Sequence, residues 1–203
     1  MTREELRKNK EREKKIKELI KQIAKKYEMK NKENNLFFVY KDYFVNTSYY
    51  VNSKNNTMSY CVNIKYLDYD DIQWDILGMP SNKKEPLSLR ATGAFSSFSY
   101  HLVAPYKILT FTDNPEEVIN SLLKQIKQMV ENYNEDLDEQ VINEPEENKC
   151  NTLEFIAYIH QKEYKKARQL AEDYLSNGDE GQFEIGGKNF FELALEYLNK
   201  NHL

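Results

Sequence analysis

The sequence predicts an α+β fold: a long N-terminal helix, an antiparallel sheet of about five strands with a covering helix, then a small all-helical C-terminal module. Three observations carry this reading. Glu4 to Tyr27 holds neither Gly nor Pro and is rich in strong helix formers. From Met58 to Tyr66 apolar and polar side chains alternate with the period of two that marks a strand with one buried face. The strand-like runs are joined by short connections without βαβ alternation, which favours antiparallel pairing over a doubly wound sheet.

The first helix has unlike halves. Ile16, Leu19, Ile20, Ile23, Ala24 and Tyr27 recur at three- and four-residue spacing and form a stripe that can pack on a core. The half before Ile16 is charged all round and is expected to project into solvent. Leu36–Lys41 and Phe44–Val51 then read as strands, and Asn52-Ser53-Lys54-Asn55-Asn56 supplies turn residues. In the next strand Met58, Tyr60, Val62, Ile64 and Tyr66 form the buried set, with Ser59, Cys61, Asn63 and Lys65 opposite.

Asp70 or Asp71 is expected to cap a short helix carrying Ile72, Trp74, Ile76 and Leu77, ended by Gly78 with Pro80 beyond. Leu87–Thr92 reads as a further strand. Another spans Phe98 to Val103 and continues from Tyr106 to Phe111 after an interruption at Pro105. Asn114-Pro115-Glu116-Glu117 is a helix start: a cap, a first-turn proline and acids matched to the helix dipole. The face that follows, Val118, Ile119, Leu122, Leu123, Ile126, Met129, Val130 and Tyr133, is expected to cover the sheet.

Charge then accumulates, Pro145 intervenes and periodicity is lost, so residues 137–149 are expected to be an acidic linker. The division expected is therefore an α+β domain over 1–136, this linker, and a helical hairpin module over 150–203. Within that module the run Ala157-Tyr158-Ile159-His160-Gln161-Lys162-Glu163-Tyr164-Lys165-Lys166-Ala167 has a short polar turn with an aromatic residue ahead of an alanine. It resembles the turn of a tetratricopeptide repeat, a likeness confined to residues 152–176. The resemblance implies two antiparallel helices, closed here by a third from about Phe190 to Asn199.

The chain of 203 residues is 40% hydrophobic, 13% aromatic and 31% charged, the composition of a folded protein with one substantial core. Its net charge of −4 is not that of a dedicated nucleic-acid binder. The charge is unevenly spread: residues 1–33 hold 13 Lys or Arg against 7 Glu, and residues 131–148 hold 8 Asp or Glu with no Lys or Arg. No stretch approaches the roughly 20 apolar residues of a membrane span, and Met1 to Leu6 lacks a secretory signal's apolar run. A cytoplasmic location, with Cys61 and Cys150 reduced, is the expectation.

The common catalytic patterns are thin. His101, His160 and His202 are the only histidines, and each reads more simply as an exposed or structurally bonded side chain than as a base. Asp68, Asp70, Asp71 and Asp75 are dense enough to suggest a divalent cation, yet an EF-hand's glycine and closing glutamate are missing and helix capping accounts for them. Gly186-Gly187 precedes a helix without the rest of a phosphate-binding motif, and reads as a turn.

No catalytic, cofactor-binding or metal-ligating residue is therefore assigned, and no cofactor or membrane partner is expected. The expected function is a non-catalytic macromolecular interaction protein with another protein as partner; oligomeric state is left open. A Lys- and Asn-rich, Arg-poor composition points to a bacterial or phage origin, where toxin antagonists and defence accessories offer an analogy. The alternative is a nucleic-acid-binding module using Lys8, Lys10, Lys14, Lys15, Lys21 and Lys25. A second alternative is a hydrolase using His101 with Asp70 or Asp71.

Overall fold

The structure, a computed structural model, describes residues 2–203 except for the side chains of Ala104 and Pro105. In chain order its elements are α1 (Arg3–Lys26), β1 (Lys30–Lys32), β2 (Asn35–Tyr40), β3 (Tyr43–Asn52), β4 (Thr57–Tyr66), α2 (Leu67–Ile76), a 3-10 turn (Pro80–Lys84) and α3 (Ser88–Thr92). There follow β5 (Tyr100–Thr110), α4 (Pro115–Glu131), α5 (Leu137–Ile142), α6 (Asn151–His160), α7 (Tyr164–Ser176), β6 (Glu184–Ile185), β7 (Lys188–Asn189) and α8 (Phe190–Lys200). These form two compact units, residues 1–64 with 101–134 and residues 65–100 with 135–203. No helix among the described residues is long and apolar enough to cross a membrane.

The first unit starts with a capped helix. Thr2 accepts a hydrogen bond from the Glu5 amide at 3.2 Å, while the Glu5 carboxylate accepts from the Thr2 amide at 2.7 Å, so two orphan donors of α1 are satisfied. Ile16, Ile20, Ile23 and Ala24 are buried, as their spacing requires. The five strands lie in the order β1-β2-β3-β4-β5, an antiparallel sheet in which every strand neighbours the next in sequence.

Register puts Phe38 opposite Val45 and Leu36 opposite Thr47, which fixes these residues on one face. That face is the one the helices cover: Lys127 of α4 lies 4.7 Å from the Phe38 ring centroid, and Ile20, Met58, Ile119 and Leu123 line a small apolar gap with Leu36 and Thr47. Asn114 caps α4 by accepting from the Glu117 amide, and the Tyr27 hydroxyl donates to the Asn120 side chain at 3.0 Å, tying the end of α1 to α4.

Several expectations are corrected here. Leu87–Thr92 is not a strand; α3 occupies Ser88–Thr92, opening after Pro86 with the Leu89 amide donating to the Pro86 carbonyl. The fifth strand is instead β1, whose sequence Lys-Asn-Lys has no apolar residue to betray it. The helix expected to start at Asp70 or Asp71 begins earlier, at Leu67, with Tyr66 at its N-cap and no side-chain cap. β5 spans Tyr100–Thr110, and the expected interruption at Pro105 falls outside the described residues. On β4 the alternation is incomplete because Cys61 and Lys65, placed on the polar side by pattern, are 5% and 1% exposed.

The second unit is mainly helical. Residues 137–142, read as solvated linker, form α5: the Asp136 carboxylate accepts from the Asp138 amide at 3.0 Å, and Leu137 and Val141 bury one turn apart. α6 and α7 make the expected hairpin, with Lys162 in a left-handed turn and Ala157 and Ala167 fully buried. Phe155, Phe190 and Phe191 meet edge to face at centroid separations of 5.3 to 6.4 Å and fill the space beneath α8. Gly186 and Gly187, with φ of 63° and 78°, form the tight turn between β6 and β7.

Gly181 has a sharper requirement. Its φ is +68°, and an added Cβ would sit 2.8 Å from the Phe190 Cβ and 3.1 Å from the Thr152 Cγ2. Strain and overpacking add, so Gly181→Ala is expected to destabilise the protein by about 2–4 kcal/mol. A lowered urea midpoint with an unchanged slope is the measurement that checks it.

Candidate functional site

The side chains with the strongest intrinsic chemistry are engaged with each other. In the second unit Asp70 is fully buried within α2 and its Oδ1 accepts from Lys65 Nζ at 2.7 Å, the Ser97 amide at 2.7 Å and the Ser97 hydroxyl at 3.1 Å. Lys65 Nζ also donates to the Ser97 carbonyl at 2.9 Å. Burial pulls the Lys65 ammonium below the usual lysine pKa, against the opposing pull of Asp70. Arg90, delivered by α3, reaches Asp70 at 3.2 Å, Asp71 at 2.7 Å and the Leu67 carbonyl at 2.8 Å, with its guanidinium 4.8 Å from the Trp74 ring centroid. The aspartates therefore neither cap α2 nor gather for a cation: Asp75 pairs with Lys83, and among the described residues no group of three or more His, Cys, Asp and Glu could hold a metal.

Two of the three histidines have polar side-chain partners. His160 Nδ1 lies 2.8 Å from Asp138 Oδ2, and the Tyr69 hydroxyl donates to Asp138 Oδ1 at 2.6 Å. The imidazole stacks on Tyr66 at 4.4 Å. Its bond to Asp138 holds the pKa of His160 above the usual histidine value, with burial opposing. The Tyr69 hydroxyl is raised by its own burial and by Asp138, so it stays protonated. His101 is exposed on β5 with Nδ1 2.6 Å from Asn63 Oδ1, and His202 is exposed beyond α8. Burial raises the Cys150 thiol, which disfavours the thiolate a nucleophile needs.

A cleft of about 620 Å³ in the second unit, between the end of α2 and α8, has its carboxylates neutralised, Asp75 by Lys83 and Glu196 by Lys188.

The six lysines singled out on the basic helix, Lys8, Lys10, Lys14, Lys15, Lys21 and Lys25, are all exposed. At 100° per residue Lys10, Lys14, Lys21 and Lys25 fall within about 60° of one another, a stripe roughly 22 Å long, whereas Lys8 and Lys15 point elsewhere. Lys8 pairs with Glu4 at 2.8 Å. The first half of α1 is less free than expected, since Arg12 donates to Asn56 Oδ1 at 2.6 Å in the β3–β4 turn.

The sheet has two edges, β1 and β5. β5 is the last strand of its sheet and carries Tyr106 at 63% and Ile108 at 74% exposure. Its end is fixed by Asn56, whose side-chain amide donates to the Phe111 carbonyl at 2.8 Å while its own carbonyl accepts from the Phe111 amide at 2.9 Å. Alternation puts Tyr106 and Ile108 on one face. Leu109, on the other, lines a groove of about 430 Å³ with Tyr60 and with Val118, Ser121, Leu122 and Gln125 of α4.

No protein-family model, curated protein or solved structure matches the chain. The geometry must carry the functional reading alone.

The edge was not singled out by sequence reasoning. Its signal is present nonetheless: Tyr106, Ile108 and Leu109 put apolar side chains on both faces of one strand, a pattern that an outermost strand cannot bury by itself.

Proposed function

We propose that the chain is a non-catalytic interaction protein whose working surface is the open edge of its sheet. The observation that carries this reading is the exposure of Ile108 and Tyr106 on a terminal strand, which leaves apolar surface and backbone hydrogen-bonding groups together at one place. The commitment of Asp70, Asp71, Asp138 and His160 to internal pairs supports it, because each would have to leave a partner to act on a substrate. A binding role of the kind played by bacterial or phage toxin antagonists and defence accessories demands no further chemistry.

The test is capture of proteins from an extract of the source cells on the immobilised full-length chain, followed by a dissociation constant for each purified candidate. Saturable binding to a defined protein supports the reading. Turnover of a substrate by the pure chain overturns it.

A second reading, a nucleic-acid module, is favoured by the stripe of Lys10, Lys14, Lys21 and Lys25, none of which has an ion-pair partner among the described residues. If these four lysines bind phosphates, affinity for duplex DNA should fall with a log–log salt slope of about −3 to −4. Titration of RNA and DNA at two salt concentrations checks this, and no binding at low salt removes the reading.

A further inference from the structure

Asn177 is the only asparagine of the chain that is followed by glycine, and both residues are exposed at the end of α7. Such a pair is open to attack on its own side chain: the amide nitrogen of the second residue adds to the carboxamide carbon of the first, and glycine, lacking a Cβ, leaves that nitrogen unshielded. We infer that Asn177–Gly178 is a deamidation site that the folded protein holds shut, and that opening of the α7 end converts the chain irreversibly to an isoaspartyl form with a loosened C-terminal unit. The site owes nothing to the sheet edge and stands apart from the interaction reading.

The chemistry needs only water. The Gly178 nitrogen loses its proton to solvent and bonds to Asn177 Cγ. The Cγ–Nδ2 bond breaks, Nδ2 takes a proton back from solvent and departs as ammonia, and a succinimide ring is left. Water then opens the ring at one or the other carbonyl, leaving an aspartate or an isoaspartate at position 177.

The fold keeps the reacting atoms apart. Gly178 has a φ of +78° and its N–H donates to the Leu175 carbonyl at 3.1 Å, while the Asp179 amide donates to the Tyr174 carbonyl at 2.9 Å, the two bonds of a Schellman cap. With ψ of Asn177 at 1°, the Gly178 nitrogen eclipses the amide nitrogen of Asn177 and is turned away from its Cβ. Ring closure therefore requires rotation about that bond and loss of the cap. The Asn177 carboxamide itself makes no hydrogen bond among the described residues, so the backbone alone is the latch.

That latch is wired into the second unit. The Asp179 carboxylate accepts from the Gly181 amide at 2.8 Å and from the side chain of Asn151 at the start of α6, and Gly181 lies against Phe190 and Thr152. An isoaspartate carries the main chain through its Cβ and lengthens it by one atom, so Asp179 can no longer keep both its bond to Tyr174 and its contacts with Asn151 and Gly181. An aspartate at the same place sets a negative charge on the negative end of the α7 dipole.

The experiment ages the full-length chain in mildly alkaline buffer, native and in guanidinium chloride. Mass spectrometry follows replacement of the amide by a carboxyl group in the tryptic peptide 169–188, and cleavage by a protease that cuts at aspartate but not isoaspartate separates the products. Conversion should be at least about tenfold slower in the native chain, the protection conferred by a local opening that costs about 1.4 kcal/mol. Asp179→Ala keeps the Asn–Gly pair but frees the loop, and should speed native conversion; Asn151→Ala repeats the test if that variant does not fold. The isolated isoaspartyl chain should unfold at a lower urea concentration than the parent, whereas Asn177→Ser, aged alongside, should keep its midpoint.

Equal rates with and without denaturant overturn the inference, as does a chain that stays unconverted in guanidinium chloride. An isoaspartyl chain with the parental midpoint overturns it too. None of these results bears on whether the sheet edge binds a protein.

Discussion

Asp70→Ala is expected to destabilise the protein by about 3–5 kcal/mol, the usual cost of removing one partner of a buried ion pair. Asp70 is 0% exposed and pairs at 2.7 Å with Lys65, itself 1% exposed. Its removal takes the carboxylate away from an ammonium that the carbonyls of Ser97 at 2.9 Å and Arg90 at 3.3 Å do not neutralise. It also takes the acceptor away from the Ser97 amide and hydroxyl. For a protein whose total stability is of the order of 5–15 kcal/mol, that is a large fraction.

Lys65→Met should cost less, because Arg90 and Ser97 still satisfy the remaining carboxylate. The two substitutions combined should cost less than their sum, since the second removes a charge the first has stranded. Urea unfolding followed by the fluorescence of Trp74 reads all three, as this is the chain's sole tryptophan and lies buried in α2 beside the cluster. Lys83→Ala, which breaks a pair whose side chains are about one-third exposed, is the control and should change stability by less than about 1 kcal/mol.

Asp138 gives the second large effect, and this one depends on pH. The His160 pKa is raised in the folded protein by its bond to Asp138, with Asp68 and Asp136 adding to the negative surroundings. The group binds its proton more tightly folded than unfolded. Its contribution is thus fully present below the unfolded value of about 6.5 and is lost as pH rises through the higher folded value, each tenfold gain in proton affinity being worth about 1.4 kcal/mol.

The urea midpoint of the parent should fall over that window, and His160→Gln should flatten the fall. Asp138→Ala should flatten it too, with an added loss at every pH of about 1–3 kcal/mol, because the buried Tyr69 hydroxyl is left without its acceptor. Asp138→Asn keeps an oxygen for Tyr69 and should recover part of that loss. A parent midpoint that does not move across the window would show that the His160–Asp138 bond carries no net proton linkage.

Legibility from sequence followed the physical source of each element. α1, α4 and the α6–α7 hairpin were readable because local signals coincide: capping residues, apolar positions three and four apart, and a buried alanine on either side of the hairpin turn. β1 was not, since Lys30–Lys32 exists as a strand only because β2 offers it a neighbour. The run Leu87–Thr92 has strand-like composition, but Pro86 opens a helical turn and the contacts of Arg90 with Asp70 and Asp71 hold it there. Lys65 looked like a surface residue because nothing local reveals the carboxylate that α2 brings to it.

The acidic stretch after residue 131 misled for a related reason, as its charge count hid Leu137 and Val141 one helical turn apart. The lysines of α1 were named individually, yet only helical geometry sorts Lys10, Lys14, Lys21 and Lys25 from Lys8 and Lys15. The exposed edge at Tyr106 and Ile108 follows from strand order, which alternation along one segment does not encode.

The route of the chain between its two units has a consequence for how the molecule comes to exist. The backbone leaves the first unit after Ile64, returns at His101 and leaves again after Asn134, so neither unit is written as one uninterrupted stretch. During synthesis the first unit cannot complete its sheet until β5 has emerged, and by then α2 has long been outside the ribosome, with Tyr69 still waiting for Asp138 and His160. The newborn polypeptide therefore carries greasy, unmatched surface for most of its translation, a stage at which a chaperone has more to hold than at any later time.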